Sequence, residues 1–269
     1  MIISACSDEI SADLSVALDL LEREDIHHVD LRGVWGKNVI ELSDEQAARV
    51  QEMLKARGFT VTALSTPIGK TAITADFAFE EARLARALEL AQLFKAPHLR
   101  IFSFYASEAE AIQYRSEALR RLRRMCELAE PYGLILAHEN EEAGFCAWRP
   151  EECVAFHQEL PPTFRSLFEP CSFTVLGYTP YVDALPLLRP FIAYIHVRDT
   201  PRGTNHYTVV GDGDVGWRDI LRDLRDHNYA GYLTLEPHLG WGQPETTDTM
   251  RAADFKRAAN ALRTTLASL

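Results

Sequence analysis

The chain has 269 residues and a formal net charge of −11, with a pI of about 5.3. That balance argues against a nucleic-acid surface, which needs clustered Lys and Arg, and against an anionic membrane surface. At 47% hydrophobic and 25% charged residues the composition is that of a soluble globular chain, and 269 residues suit one α/β barrel as well as two smaller domains.

Taken in order, the pattern switches repeatedly between strand-like and helix-like periods. A first strand is predicted at Ile2–Cys6, then a helix with Leu14, Ala17, Leu18 and Leu21 on one face. The second strand is His28–Leu31, and its helix opens at Ser43 with Gln46 three residues on, a capping-box pattern. Phe59–Ser65 is the third strand, followed by a helix carrying Leu84, Leu88 and Ala91. His98–Phe104 precedes a helix with Leu119, Leu122, Cys126 and Ala129. Leu134–Glu139 precedes a helix opened by Pro150, a good first-turn residue. Phe164–Glu169 leads to a helix near Tyr181–Leu188, and Ile192–Val197 to a helix over Trp217–His227. Tyr232–Glu236 is the eighth strand, and a last helix lines up Phe255, Ala259, Leu262 and Leu266.

Eight strand–helix units in one chain predict an α/β fold, a closed (β/α)₈ TIM barrel forming a single domain over residues 1–269. An open doubly wound sheet would need a glycine-rich turn after its first strand, and ACSDEISAD has no glycine. Five cysteines with irregular spacing and no Cys-x-x-Cys predict a reduced, cytoplasmic chain. MIISACSDEI lacks the charged and apolar regions of a signal peptide, and no run approaches the ~18 apolar residues of a membrane helix.

Four of the strands end in a side chain that binds metals or transfers protons. LILAHEN (134–140) ends in Glu139, FRSLFEP (164–170) in Glu169, IAYIHVRD (192–199) in His196 and YLTLEPH (232–238) in Glu236. A charge at the edge of an apolar strand is costly unless a partner compensates it. In a barrel these ends belong to strands five to eight, consecutive around the ring, and converge on one mouth. One divalent cation shared by all four satisfies the requirement; an oxygen-rich set suits Mn²⁺, Mg²⁺ or Co²⁺, and Zn²⁺ also fits. The bland alternative makes each a salt-bridged rim residue. Strand alternation directs Arg198 inward with His196, and His238 inward with Glu236. Arg32, Lys70 and Arg100 join Arg198 in a cationic rim. Two readings of that rim stand: an anionic substrate, or charge balance for carboxylates such as Asp30 and Glu139.

These residues also carry a resemblance. VDLRGVWGKNVIELSDEQ (29–46), LSTPIGK (64–70), LRIFSFY (99–105), HENE (138–141), AYIHVRD (193–199), GDGDVGW (211–217) and YLTLEPHL (232–239) follow one another in order. Together they resemble the xylose isomerase-like sugar phosphate isomerases and epimerases. The resemblance implies one divalent metal ion on Glu139, Glu169, His196 and Glu236. It also implies that Glu139 and Glu236 flank the substrate carbon and exchange its proton. Two positions depart from the pattern. The usual Asp-x-x-Asn reads Glu169-Pro-Cys-Ser172, which moves the carboxylate about one methylene outward, and His-x-Lys-Asp reads His196-Val-Arg198-Asp199. Arg brings a planar fork suited to carboxylate or phosphate.

The expected activity is a metal-dependent sugar or sugar phosphate isomerase or epimerase, working through a metal-stabilised enediolate. The partner is then a small sugar-like substrate, with neither nucleic acid nor membrane involved. Members of the family associate as dimers or tetramers, so a homo-oligomer is compatible with the sequence. A cyclitol or keto-acid dehydratase on the same barrel and a non-catalytic ligand-binding barrel are the alternatives. An apurinic endonuclease would need further strand-end histidines, absent at Leu64-Ser65-Thr66 and beside Glu169 at Cys171 and Ser172. Three features are read as structural. Arg120, Arg121, Arg123 and Arg124, with Glu117 and Glu127, read as a solvated ion-paired face. GDGDVGW lacks the Lys-Ser/Thr of a P-loop and reads as a tight loop into the Trp217 helix, although this region of a barrel can also hold a phosphate. Cys153 and His157 read as packing residues of one helix.

Overall fold

A computed structural model describes residues 1–141, 143–240 and 246–269. Eight parallel strands form a closed ring: β1 (Ile2–Cys6), β2 (His28–Leu31), β3 (Thr60–Ser65), β4 (His98–Ile101), β5 (Ile135–Glu139), β6 (Phe164–Phe168), β7 (Ile192–Val197) and β8 (Tyr232–Leu235). Each lies beside its successor, and β8 closes on β1 with Ile2 opposite Tyr232 and Ala5 opposite Leu235. The expected (β/α)₈ barrel is thus the fold. Strands of a barrel are covered on both faces, which is why they read as near-continuous apolar runs such as LILA and YLTL.

The main apolar core fills the space between strands and helices. Leu14, Leu18 and Leu21, Leu84 and Leu88, Leu119 and Leu122, and Phe255 and Leu262 are all buried in it. A separate small cluster of Ala63, Ala137, Leu167 and Tyr194 joins β3, β5, β6 and β7 across the inside of the ring. The helix starts follow the local chemistry. Ser43 Oγ accepts the Gln46 N–H at 3.2 Å while Gln46 Oε1 accepts the Ser43 N–H at 3.1 Å, and Pro150 opens the helix Pro150–Glu159.

Several expectations are corrected by packing. β4, β6 and β8 stop at Ile101, Phe168 and Leu235, because the residues beyond them leave the ladder to build the mouth. The helix expected near Tyr181–Leu188 is two pieces, Pro180–Asp183 and Leu185–Leu188; Pro186 lacks the N–H that would continue the first into the second. Arg121 is not solvated. It is 7% exposed, its Nε lies 2.8 Å from Glu117, and its guanidinium lies 5.3 Å from the Phe77 ring and 5.4 Å from that of Phe104. Its long apolar stem lets it bury beneath the ion-paired surface that Arg120 and Arg124 make with Glu117, Glu81 and Glu127.

The loop after β3 folds back over the end of β4, where the Phe102 and Phe104 N–H groups donate to Ile68 O and Gly69 O at 2.8 and 2.9 Å. Gly69 has φ +85°, and a Cβ there would sit 2.2 Å from Phe102 O, against rigid backbone. Gly69→Ala is therefore expected to destabilise by about 3 kcal/mol, a fall of roughly 6–12 °C in Tm. A thermal melt within 2 °C of wild type would show that the loop yields freely.

Cys153 and His157 are packing residues, as expected. The His157 ring stacks on Phe191 at 5.1 Å, with Phe164 at 5.1 Å and His138 at 5.9 Å. Burial holds His157 down at about 3 and His138 at about 4. The unfolded chain takes up these protons near pH 6.5, the native state only near 4 and below. Their contribution to stability is thus full above about pH 6.5 and is lost as pH falls towards 4, at ~1.4 kcal/mol per pH unit per histidine. His157→Phe is expected to remove one histidine's share of that slope in urea unfolding between pH 6.5 and 4. An unchanged slope would mean that His157 is already charged in the native state.

Candidate metal centre

Glu139 is the last residue of β5, His196 lies one residue before the end of β7, and Glu169 and Glu236 immediately follow β6 and β8. One donor atom from each of the four lies within 4.8 Å of all the others, and all four side chains are buried. His196 Nδ1 is 3.3 Å from Glu139 Oε1 and 3.1 Å from Glu236 Oε2. Glu169 caps the short helix Pro170–Val175, its Oε1 accepting the Cys171 N–H at 2.7 Å, which leaves Oε2 for the cluster. Asn140 clamps the ends of β5 and β6 together, donating to Glu169 O at 2.7 Å and accepting the Glu169 N–H at 2.9 Å.

Cations surround these acids. Arg100 Nη1 lies 3.2 Å from Glu139 Oε2 and 3.9 Å from Glu236 Oε1. Arg198 reaches Glu169 at 3.2 Å and Glu236 at 3.5 Å. Arg32 pairs with Glu236, with Asp8 at 2.8 Å and with Glu9 at 2.5 Å. His238, at φ +52°, is held by Glu9, which accepts its backbone N–H at 2.9 Å and lies 2.8 Å from its Nδ1. Lys70 is set apart from the cluster, pairing with Glu141 at 2.5 Å and lying 4.2 Å from the Phe102 ring centre.

Burial alone would raise every carboxyl here, and the neighbours decide the outcome. At Glu139, Arg100 and His196 overcome burial and hold the group at about 2. At Glu236, His196, His238 and Arg32 hold it well below the usual carboxylate range. At Glu169, burial outweighs Arg198 and pushes the carboxyl up to about 7. Burial would lower His196, yet Glu236, Asp30 and Glu139 raise it well above an ordinary imidazole.

The donor set fits a divalent cation. Glu139 Oε2, Glu169 Oε2, Glu236 Oε2 and His196 Nδ1 are buried without a properly aligned hydrogen bond among the described residues, although ionic partners stand nearby. Each such atom is a loss of about 1–3 kcal/mol unless something else engages it. Three carboxylates and one imidazole form the oxygen-rich set that Mn²⁺, Mg²⁺, Co²⁺ or Zn²⁺ accepts.

The family model described as Xylose isomerase-like TIM barrel matches residues 19–263. The chain belongs to this family. Over 130 residues it is 26% identical to the D-psicose 3-epimerase of Enterocloster bolteae, covering 48% of this chain and 42% of that one, so the match spans less than half the length of the curated relative. Among solved structures, the IOLI protein with a binding zinc atom superposes with a TM-score of 0.82 at 13% identity, over 100% of this chain and 99% of that one. The probable 3-DHS dehydratase AsbF from Bacillus anthracis gives 0.77 at 19% identity, over 95% and 98%. At such identities the superpositions carry the fold.

Within this xylose isomerase-like barrel, GDGDVGW is a loop organised by Asp199. Its carboxylate accepts the N–H groups of Thr200, Gly211 and Val215 at 2.9, 2.9 and 3.1 Å. Two of those N–H groups belong to the segment, which the Asp199 carboxylate thereby folds into a turn. Arg32, Arg100, Arg198, Lys70 and His238 each lie beside a carboxylate. Reading the sequence missed Asp8, Glu9, Asn140 and Glu141. The first two follow β1 as Glu169 and Glu236 follow β6 and β8, and that position was the available signal.

Proposed function

We propose that this barrel is a divalent-metal-dependent sugar epimerase or isomerase, with Glu139 and Glu236 as its proton carriers. The observation supporting the reading is the convergence of Glu139, Glu169, His196 and Glu236 donor atoms within 4.8 Å at the strand ends. A divalent cation held by the four would polarise a substrate carbonyl and acidify the neighbouring C–H. Glu139 and Glu236 stand on β5 and β8, three strands apart in the ring, and so approach a bound carbon from different sides. Both are held ionised by adjacent cations, the state a general base requires. One ionised glutamate takes the carbon-bound proton; the other, which must first take a proton from solvent water, gives it to the opposite face of the carbon, so that the two exchange protonation states in each turnover. Phe102, Phe145 and Trp148 pack together beyond the ends of β4 and β5, with the Arg100 guanidinium 5.1 Å from the Phe102 ring centre.

Because the cationic rim is balanced by acids, the reading favours a neutral sugar over a phosphorylated one. Incubation in D₂O with Mn²⁺ and a ketose panel that includes D-psicose and fructoselysine, with phosphorylated counterparts, tests it. Deuterium uptake at one carbon with inversion is the expected result. Transfer to the adjacent carbon would make the protein an isomerase, and loss of water a dehydratase. No uptake at any carbon of any substrate would sink the mechanism.

A further inference from the structure

His196 turns only one ring nitrogen towards the four-residue cluster. Nδ1 faces Glu236 and Glu139, while Nε2 points away and lies 3.5 Å from Asp30 Oδ2. Asp30 belongs to β2, which is separated from β7 by β8 and β1, so the contact crosses the interior of the barrel. Asp30 is 0% exposed. Tyr194 donates its O–H to the same oxygen at 3.4 Å, and Oδ1 has no hydrogen bond among the described residues. Cys6 also approaches this group. Burial, and then Asp30 itself, push the Cys6 thiol well up, so it stays a neutral thiol.

A fully buried carboxylate with two contacts of 3.4 and 3.5 Å adds little to the fold and carries a large desolvation penalty. Its position makes sense through the imidazole. A neutral imidazole bears one proton, and the nitrogen without it is the ligand. A carboxylate at Nε2 keeps the proton there, fixes the plane of the ring and leaves the Nδ1 lone pair facing the glutamates.

We propose that Asp30 is a positioning residue for His196: it holds the proton on Nε2, presents Nδ1 to Glu139, Glu169 and Glu236, and thereby sets how tightly the four hold a divalent cation. This rests on the reading of those four as metal ligands. Asp30 stands one residue before the end of β2, as His196 does in β7, but only the closed ring brings the two side chains together.

Zn²⁺ competition against a chromophoric chelator, on the full chain, tests the proposal. Asp30→Ala is expected to weaken Zn²⁺ binding about 10–100-fold, and Asp30→Asn, which keeps the shape and a weaker acceptor, by less. Tyr194→Phe keeps the carboxylate and removes its other donor, and should bind like the wild type. Long-range ¹H–¹⁵N spectra of Zn²⁺-loaded wild type should place the remaining His196 proton on Nε2. Wild-type affinity in Asp30→Ala, equal weakening by Tyr194→Phe, or a His196 proton on Nδ1 would each overturn the role of Asp30 alone. A wild-type chain that binds no Zn²⁺ would overturn the four-ligand reading and this proposal with it.

Discussion

Glu236→Gln is expected to lower the rate of substrate interconversion by about 10²–10⁴-fold, the usual loss when a general base is removed. Gln keeps the size of the side chain and an oxygen towards the cluster but cannot take a proton. Three cationic neighbours, His196, His238 and Arg32, hold the Glu236 carboxyl well below the usual carboxylate range, so near neutral pH the wild-type group is ready to accept one. Glu139→Gln should be as severe, because Arg100 and His196 do the same for Glu139. The two variants should differ in D₂O. With one base missing, the other still exchanges the proton of the epimer it faces, so each variant labels a single epimer without interconverting the pair. Metal content measured on the same samples separates loss of the base from loss of the cation. If both variants interconvert substrate within about tenfold of wild type, smaller than any general-base effect, the assignment is wrong.

Millimolar Mn²⁺ is expected to raise the melting temperature of chelator-treated protein by roughly 5–10 °C. A ligand at a hundred times its Kd adds about 2.7 kcal/mol to folded-state stability. The physical source is binding to the folded chain alone, where four buried donor side chains are already gathered with their donor atoms within 4.8 Å of one another. His196→Ala should abolish the shift, and chelation should abolish substrate exchange until Mn²⁺ is restored. A protein whose melting is indifferent to Mn²⁺, Mg²⁺, Co²⁺ and Zn²⁺ would instead fit a barrel that binds ligands without this chemistry.

Both results depend on residues that stand out in the sequence for a simple reason. A glutamate or histidine at the end of an apolar run is a local anomaly, and Glu139, Glu169, His196 and Glu236 all show it. The eight strand–helix units are legible for a related reason, since strands covered on both faces demand apolar runs. The limits of β1, β2 and β7 therefore coincide with expectation. The helix that starts at Pro170, the break at Ala184 and the burial of Arg121 are less legible, because each depends on what packs against the segment.

The chain by itself thus determined the alternation that closes the barrel and the family it belongs to. It also marked the strand ends where charge accumulates. Only the tertiary structure decided which cation answers which acid. Arg32 and Glu236 are 204 residues apart, Asp30 and His196 166, and closing the ring brings each pair together. Electrostatic interaction depends on distance through space and on the dielectric around the charges, and neither is written in sequence spacing. That is why the sequence leaves two readings of its arginines open, while folding sets Arg32, Arg100 and Arg198 beside Glu236, Glu139 and Glu169.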